Sequence, residues 1–167
     1  MRPGSVAWWA TKVRQTKRHL LARVPARERD ALTTWLSPAQ LALFDTMHLA
    51  DRRHGLDVVA ALRAGGTSDA EVLLAGLLHD AGKGDAGLVA RVAHSLGQIR
   101  LTWVGYAVGW WPGMRRTLDR LRDHAETSAG LAEAAGCPPR TVELIRWQDA
   151  PRDPEAGERL RLADEAS

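Results

Sequence analysis

No stretch of this 167-residue chain alternates apolar and polar residues over the length of a β-strand. Ala, Leu and Arg are its commonest residues, whereas isoleucine occurs only at positions 99 and 145. These common residues favour helices, and apolar positions recur at the spacing of one helix face. The sequence therefore predicts an all-α fold, a helical bundle.

Start and stop signals divide the chain into helices. Ser37-Pro38-Ala39-Gln40 and Ser68-Asp69-Ala70-Glu71 both have the pattern of a capping box, in which the first residue caps the helix. The second pattern opens the apolar run Val72 to Leu78, which predicts a central, buried helix that ends at His79. Further helices are predicted over residues 6–24, 28–36, 51–64, 86–96, 102–108, 114–124, 126–135, 141–148 and 158–165.

Composition excludes several protein classes. Cys137 is the only cysteine, so an internal disulfide and a cysteine-based zinc site are both excluded, and we expect a small buried side chain there. No apolar run reaches the roughly 18–20 residues that a membrane helix needs. Trp8 and Trp9 are followed by basic residues, which is not the pattern of a secretory signal. We therefore expect a soluble, cytoplasmic protein without a transmembrane segment.

The basic residues are concentrated near the N-terminus. Residues 12–29 contain seven Lys or Arg and one Glu, and Trp8 and Trp9 precede them. Such a helix suits nucleic acid phosphates or a membrane surface, but Trp9 can equally pack on the bundle while the arginines face water. We favour packing. Nucleic acid binding through this basic segment is the weaker alternative function.

His79 is the histidine whose setting indicates chemistry. It follows the apolar run Leu73 to Leu78 and is joined directly to Asp80. Burying a carboxylate costs several kcal/mol unless a cation or hydrogen bonds compensate it. A buried imidazole beside a buried carboxylate suits a divalent metal such as Mn, Fe, Ni, Co or Zn. The other interpretation is a histidine at a helix end with an exposed aspartate in a loop.

Three more residues complete a pattern along the chain. His54 lies within a predicted helix, His124 follows Asp123, and Asp164 ends the apolar pattern that begins at Leu160. The order His, then His-Asp, then a further His and a distant Asp resembles the HD-domain superfamily of metal-dependent phosphohydrolases. The resemblance covers residues 50–167 and implies a helical bundle of the HD type. Residues 1–49 would then be a short, basic N-terminal helical extension.

The resemblance also implies roles for individual residues. One divalent ion would have four ligands: His54, His79, Asp80 and Asp164. A metal-activated water would cleave the phosphate ester of a nucleotide or a related phosphorylated metabolite. Asp80 and Lys83 would be the catalytic residues, and Lys83 and Arg53 would contact the substrate phosphate. His124 would lie beside the ligands or bind a second metal ion.

The chain departs from the two-metal members of that superfamily at one point. Where those relatives carry an additional histidine, this sequence has Trp147 and Gln148. An indole offers only an N–H donor and cannot replace an imidazole ligand. The departure favours a single metal ion. It also supports an alternative function, a catalytically reduced module that binds a metal or a nucleotide for regulation.

Overall fold

The computed structural model describes residues 22–84 and 123–167, and within these ranges it contains seven α-helices and no β-strand. The helices are α1 (Ala26–Leu32), α2 (Pro38–Thr46), α3 (Leu49–Ala64), α4 (Ala70–Leu78), α5 (His124–Ala134), α6 (Pro139–Arg146) and α7 (Ala156–Ala166), with a 3-10 turn at Ala81–Lys83. The predicted all-α fold is confirmed for these ranges. None of their helices has the length and apolar character needed to cross a membrane. The helices predicted over 86–96 and 102–108 lie outside the described residues, as do most of those predicted over 6–24 and 114–124. Residues 22–24, at the end of the first of these predicted helices, are not helical.

Helix α4 is the centre of the described bundle, as the sequence predicts. Every residue from Val72 to Leu78 is buried, and α4 packs against α3, α6 and α7. Its cap differs from the prediction. The carboxylate of Asp69, not the hydroxyl of Ser68, accepts hydrogen bonds from the backbone N–H groups of Glu71 and Val72, at 2.9 and 3.5 Å. A carboxylate that accepts from two free N–H groups caps the helix and also complements its dipole.

The other predicted boundaries are close but not exact. The capping box at Ser37 is confirmed, since its Oγ accepts from the N–H of Gln40 and its own N–H donates to Gln40 Oε1. The helix predicted over 28–36 is α1, which ends at Leu32. Where the sequence predicts one helix ending at His124 and another beginning at Glu126, the structure begins α5 at His124.

One apolar core connects the described helices. Leu32 and Phe44, from α1 and α2, are buried in the same cluster as Leu77 and Ile145. Because Leu32 and Phe44 belong to residues 1–49, part of the predicted N-terminal extension packs on the bundle. Cys137 is also buried, as predicted.

Glycines set how closely the helices around α4 approach. A Cβ on Gly55 of α3 would collide with the backbone carbonyl oxygen of Leu77 in α4. A Cβ on Gly82 in the 3-10 turn would lie 2.6 Å from the backbone N of Ser128 in α5, whose Oγ accepts the Gly82 N–H at 2.8 Å. Only a residue without a side chain fits at these two contacts. The contact at Gly55 joins the residue after His54 to Leu77, two residues before His79, and so brings these two histidines together.

Candidate metal centre

Three helices bring a group of potential metal ligands together. His54 lies on α3, His79 follows α4, and Asp164 lies on α7, and one ligand atom from each is within 4.8 Å of the others. Oδ1 of Asp164 is 2.7 Å from Nε2 of His54 and 3.4 Å from Nε2 of His79. Two imidazoles and a carboxylate suit a first-row divalent ion. The group could hold a metal ion, as the sequence predicts.

His79 presents one defined nitrogen to this group. Its Nδ1 lies 3.0 Å from the carbonyl oxygen of Gly76, and because a carbonyl only accepts, the Nδ1–H donates. Nε2 is buried and makes no hydrogen bond with any described residue. An imidazole whose outer N–H is fixed by a carbonyl is the usual arrangement of a histidine that ligates a metal through its other nitrogen.

Asp80 lies beside the three-residue group. Its side chain is only 2 % exposed, and Oδ1, 3.4 Å from Nε2 of His79, has no hydrogen-bond partner in the described part of the chain. Oδ2 is 2.6 Å from Nζ of Lys83 and 4.0 Å from Nε2 of His54. The 3-10 turn that follows Asp80 folds Lys83 back onto it. A buried carboxylate oxygen without a partner is costly unless a cation or water satisfies it.

Electrostatics keep both carboxylates of the centre ionised. Burial lowers the pKa of His79, but Asp80 and Asp164 outweigh it and raise that pKa to about 9. Burial raises the pKa of Asp164, yet its hydrogen bond with His54 and the proximity of His79 bring the net pKa well below its usual range. The pKa of Asp80 is likewise lowered, because His79, Lys83 and His54 outweigh burial. Both carboxylates therefore stay charged at neutral pH.

The centre is buried at His79 and Asp80 and partly exposed at His54 and Asp164. The side chains of His79 and Asp80 are 3 % and 2 % exposed, whereas those of His54 and Asp164 are 26 % and 43 % exposed. A small ion or ligand can thus reach the centre past His54 and Asp164.

Two further residues of the predicted site, His124 and Arg53, differ in their distance from the centre and in their partners. Nε2 of His124 lies 3.9 Å from Oδ1 of Asp80, so His124 is a neighbour of the centre. Arg53 is held at 2.5 Å by Glu28 and at 2.9 Å by Asp57. A guanidinium already held by two carboxylates has little capacity left for a substrate phosphate.

Two polar residues near the centre were not selected from the sequence as part of the site. Gln148 is buried, and its Nε2 donates to the backbone carbonyl of His79 at 3.2 Å. Asp51 is buried on α3, one helical turn before His54. The neighbouring Trp147 has another partner, since its Nε1–H donates to the side chain of Glu143. The position of Asp51, three residues from a candidate ligand on one helix face, was a signal in the sequence, whereas Gln148 was noted there only as a departure from the two-metal relatives.

Comparison with known proteins does not assign this chain to a family. No protein-family model, no curated protein and no solved structure matches it. Its function therefore has to be inferred from its own residues and their geometry.

Proposed function

We propose that this protein is a metal-dependent phosphohydrolase with a bundle of the HD type, and that it cleaves a phosphate ester of a nucleotide or a related metabolite. The observation that carries the proposal is a pair of buried atoms that have no hydrogen-bond partner among the described residues, Nε2 of His79 and Oδ1 of Asp80, which lie 3.4 Å apart. Such atoms fit a bound cation, and His54 and Asp164 lie beside them. The substrate class rests on the order of these residues in the sequence.

The donor set fits a divalent ion held by His54, His79, Asp80 and Asp164. When bound, such an ion supplies Lewis-acid chemistry for phosphate ester hydrolysis, polarising the phosphoryl oxygen and acidifying water. In the overall reaction, water adds its oxygen to phosphorus, the ester P–O bond breaks, and the alcohol leaves with a proton.

The protein's own side chains would bind and orient the substrate. Lys83 carries its ammonium 2.6 Å from Asp80 with 24 % of its side chain exposed, so a phosphate entering the centre would meet it. Nε2 of His124 lies 3.9 Å from the other oxygen of Asp80, Oδ1, and His124 would hold or move a proton near that oxygen. The side-chain amide of Gln148 donates to the backbone carbonyl of His79 and would thereby hold the backbone of His79 in place.

Elemental analysis combined with a turnover assay tests the proposal. The wild-type protein should hold about one divalent ion per chain and hydrolyse at least one member of a panel of phosphate esters with added Mn²⁺. His79→Ala and Asp80→Asn should lose both the ion and the turnover, because the first removes a buried ligand nitrogen and the second removes the negative charge of a buried carboxylate. Circular dichroism establishes that each variant is folded.

His48→Asn is the matched control. His48 lies outside the centre and caps α3 through Nδ1, which accepts the N–H of Ala50, and asparagine caps a helix equally well. This variant should keep both metal and turnover. Metal without turnover in the wild type would favour the alternative, a module that binds metal without catalysis. A folded wild-type protein that binds no divalent ion would overturn the proposal.

A further inference from the structure

The short turn after α4 sets where the Lys83 ammonium lies. The turn begins at Asp80 and ends at Lys83, and the N–H of Lys83 donates to the carbonyl of Asp80 at 3.1 Å. A 3-10 turn of three residues is weak on its own, because its hydrogen bonds are poorly aligned. The ion pair between Lys83 Nζ and Asp80 Oδ2, at 2.6 Å, therefore depends on how the rest of the chain holds this backbone.

Ser128 on α5 holds the backbone of the turn. Ser128 is fully buried, and its Oγ accepts the N–H of Gly82 at 2.8 Å, across 46 residues of sequence. Gly82 is buried as well, so its N–H would be costly to leave without an acceptor. A Cβ on Gly82 would lie 2.7 Å from the carbonyl oxygen of His124, which shows that the turn packs directly on the first turn of α5.

The helix face that holds the turn also reaches Asp80. His124 and Ser128 are four residues apart on α5 and so lie on one face of that helix. Nε2 of His124 is 3.9 Å from Oδ1 of Asp80, and Nζ of Lys83 is 2.6 Å from Oδ2. One face of α5 thus contacts the turn through Ser128 and approaches the buried carboxylate through His124.

Gly82 immediately precedes Lys83, so the backbone that Ser128 holds is the point from which the Lys83 side chain starts. We propose, resting on the proposed function, that Ser128 is a positioning residue for phosphate binding. Its hydroxyl holds the Gly82 N–H and so keeps the Lys83 ammonium on Asp80, where a substrate phosphate would meet it. Ser128 acts through the turn and not by contact with ion or substrate, so its removal should matter only while Lys83 is present.

Nuclear magnetic resonance of the Lys83 ammonium tests the positioning on metal-free protein. In cool, mildly acidic solution an ammonium held on a buried carboxylate exchanges its protons slowly enough to give a ¹H–¹⁵N signal, whereas a solvated ammonium does not. The chain has three lysines, at positions 12, 17 and 83, so Lys83→Gln identifies the signal. Ser128→Ala should lose this signal, and its Gly82 amide should exchange with solvent about tenfold faster than in the wild type.

Thr127→Ala is the matched control. Thr127 is exposed, and its hydroxyl donates to the carbonyl of Asp123 at the start of the same helix, at 3.1 Å. Alanine removes this hydroxyl and leaves the bond between Ser128 and Gly82 in place, so the Lys83 signal and the slow Gly82 amide should both remain.

The Lys83 signal decides the inference. A wild type without the signal, a Ser128→Ala variant that keeps it, or its loss in Thr127→Ala would each overturn the inference. If Ser128→Ala does not fold, Ser128→Cys decides in its place, because a sulfur is only a weak acceptor and the same losses are expected.

Binding of inorganic phosphate connects the positioning with the proposed function. In calorimetric titrations of Mn²⁺-loaded protein, Lys83→Gln should weaken phosphate binding by about tenfold and Ser128→Ala by about fivefold, since each takes the ammonium away from the phosphate. In the Lys83→Gln background, Ser128→Ala should change Kd by less than about twofold. Equal effects of Ser128→Ala in both backgrounds would overturn the inference, because Ser128 would then act without Lys83.

The two measurements distinguish failure of the inference from failure of the proposed function. A wild type that binds no Mn²⁺ removes the proposed function, while the Lys83 signal of the metal-free protein still decides whether Ser128 positions Lys83. A wild type that binds Mn²⁺ but no phosphate keeps the metal site and overturns the role of Ser128 in phosphate binding.

Discussion

His79 illustrates how one backbone contact fixes the chemistry of a side chain. Its Nδ1–H donates to Gly76 one turn earlier in α4, so the ring cannot turn its other nitrogen away from Asp80 and Asp164. The same two carboxylates raise the pKa of His79 to about 9, against the effect of burial. Without metal, the ring is therefore protonated at neutral pH. Metal and proton compete for Nε2.

This competition predicts that metal binding releases a proton. At pH 7, where His79 is protonated without metal, binding should release about one proton per ion from this residue. Because the proton is bound below pH about 9, metal affinity should fall as the pH is lowered from that value, by up to about tenfold per pH unit. Titration calorimetry in buffers of different ionisation enthalpy measures the released protons directly. Heats that do not depend on the buffer would contradict the raised pKa.

Sequence reasoning finds residues whose chemistry is local and misses those whose role depends on packing. His79 and Asp80 could be selected because an apolar run precedes them and they are adjacent. Gln148 could not, because it reaches the carbonyl of His79 from 69 residues away, and nothing local marks an amide as a support. Arg53 was selected for its charge, whereas its partners Glu28 and Asp57 could be identified only from the fold.

At the level of elements, the contact between α3 and α4 determines the spacing of the two candidate ligand histidines. His54 precedes Gly55, and His79 follows Leu77 by two residues, so a close approach of these two helices lies beside both histidines in sequence. The rings accordingly lie 5.2 Å apart between centroids. The helices were predictable from apolar spacing, but this close approach was not, because a helical glycine gives no signal of what it packs against.

Gly55→Ala should therefore disturb both the fold and the site. The added Cβ would meet the carbonyl oxygen of Leu77, a backbone atom that cannot move independently, and overpacking of this kind costs about 1–3 kcal/mol. Forcing α3 and α4 apart should also weaken metal binding. Urea unfolding and Mn²⁺ titration measure the two effects.

Gly130→Ala is the control for this substitution. Gly130 lies on the exposed face of α5, and a Cβ there meets nothing within 4 Å. Alanine favours the helix over glycine, so this variant should be unchanged or more stable by roughly 0.5–1 kcal/mol. Equal loss of stability in both variants would show that the loss does not come from contact between α3 and α4.

For the whole molecule, the candidate centre connects parts of the chain that are far apart in sequence. Asp164 on α7 lies 2.7 Å from His54 on α3, a contact across 110 residues. The sequence indicates that Asp164 ends an apolar pattern, but its distance from His54 depends on how α7 packs against α3 and α4. The all-α fold follows from composition and periodicity. The assembly of the centre follows from tertiary packing, which periodicity does not specify.

Because the candidate ligands come from three elements, a bound metal should hold the C-terminal helix on the bundle. An ion that binds only the folded state stabilises it by about 2.7 kcal/mol at one hundred times its Kd, which corresponds to roughly 5–10 °C in Tm for a domain of this size. Asp164→Asn should lose this increase, because the amide cannot supply the anionic oxygen that lies next to both histidines. Glu165→Gln is the matched control, since Glu165 is exposed on the same helix and pairs with Arg161, so its Tm should still rise with metal. Thermal unfolding with Mn²⁺ and with a chelator measures the difference for each protein. An equal rise in wild type and Asp164→Asn would remove Asp164 from the ligand set and leave α7 in place by its apolar contacts alone, chiefly those of the buried Leu160.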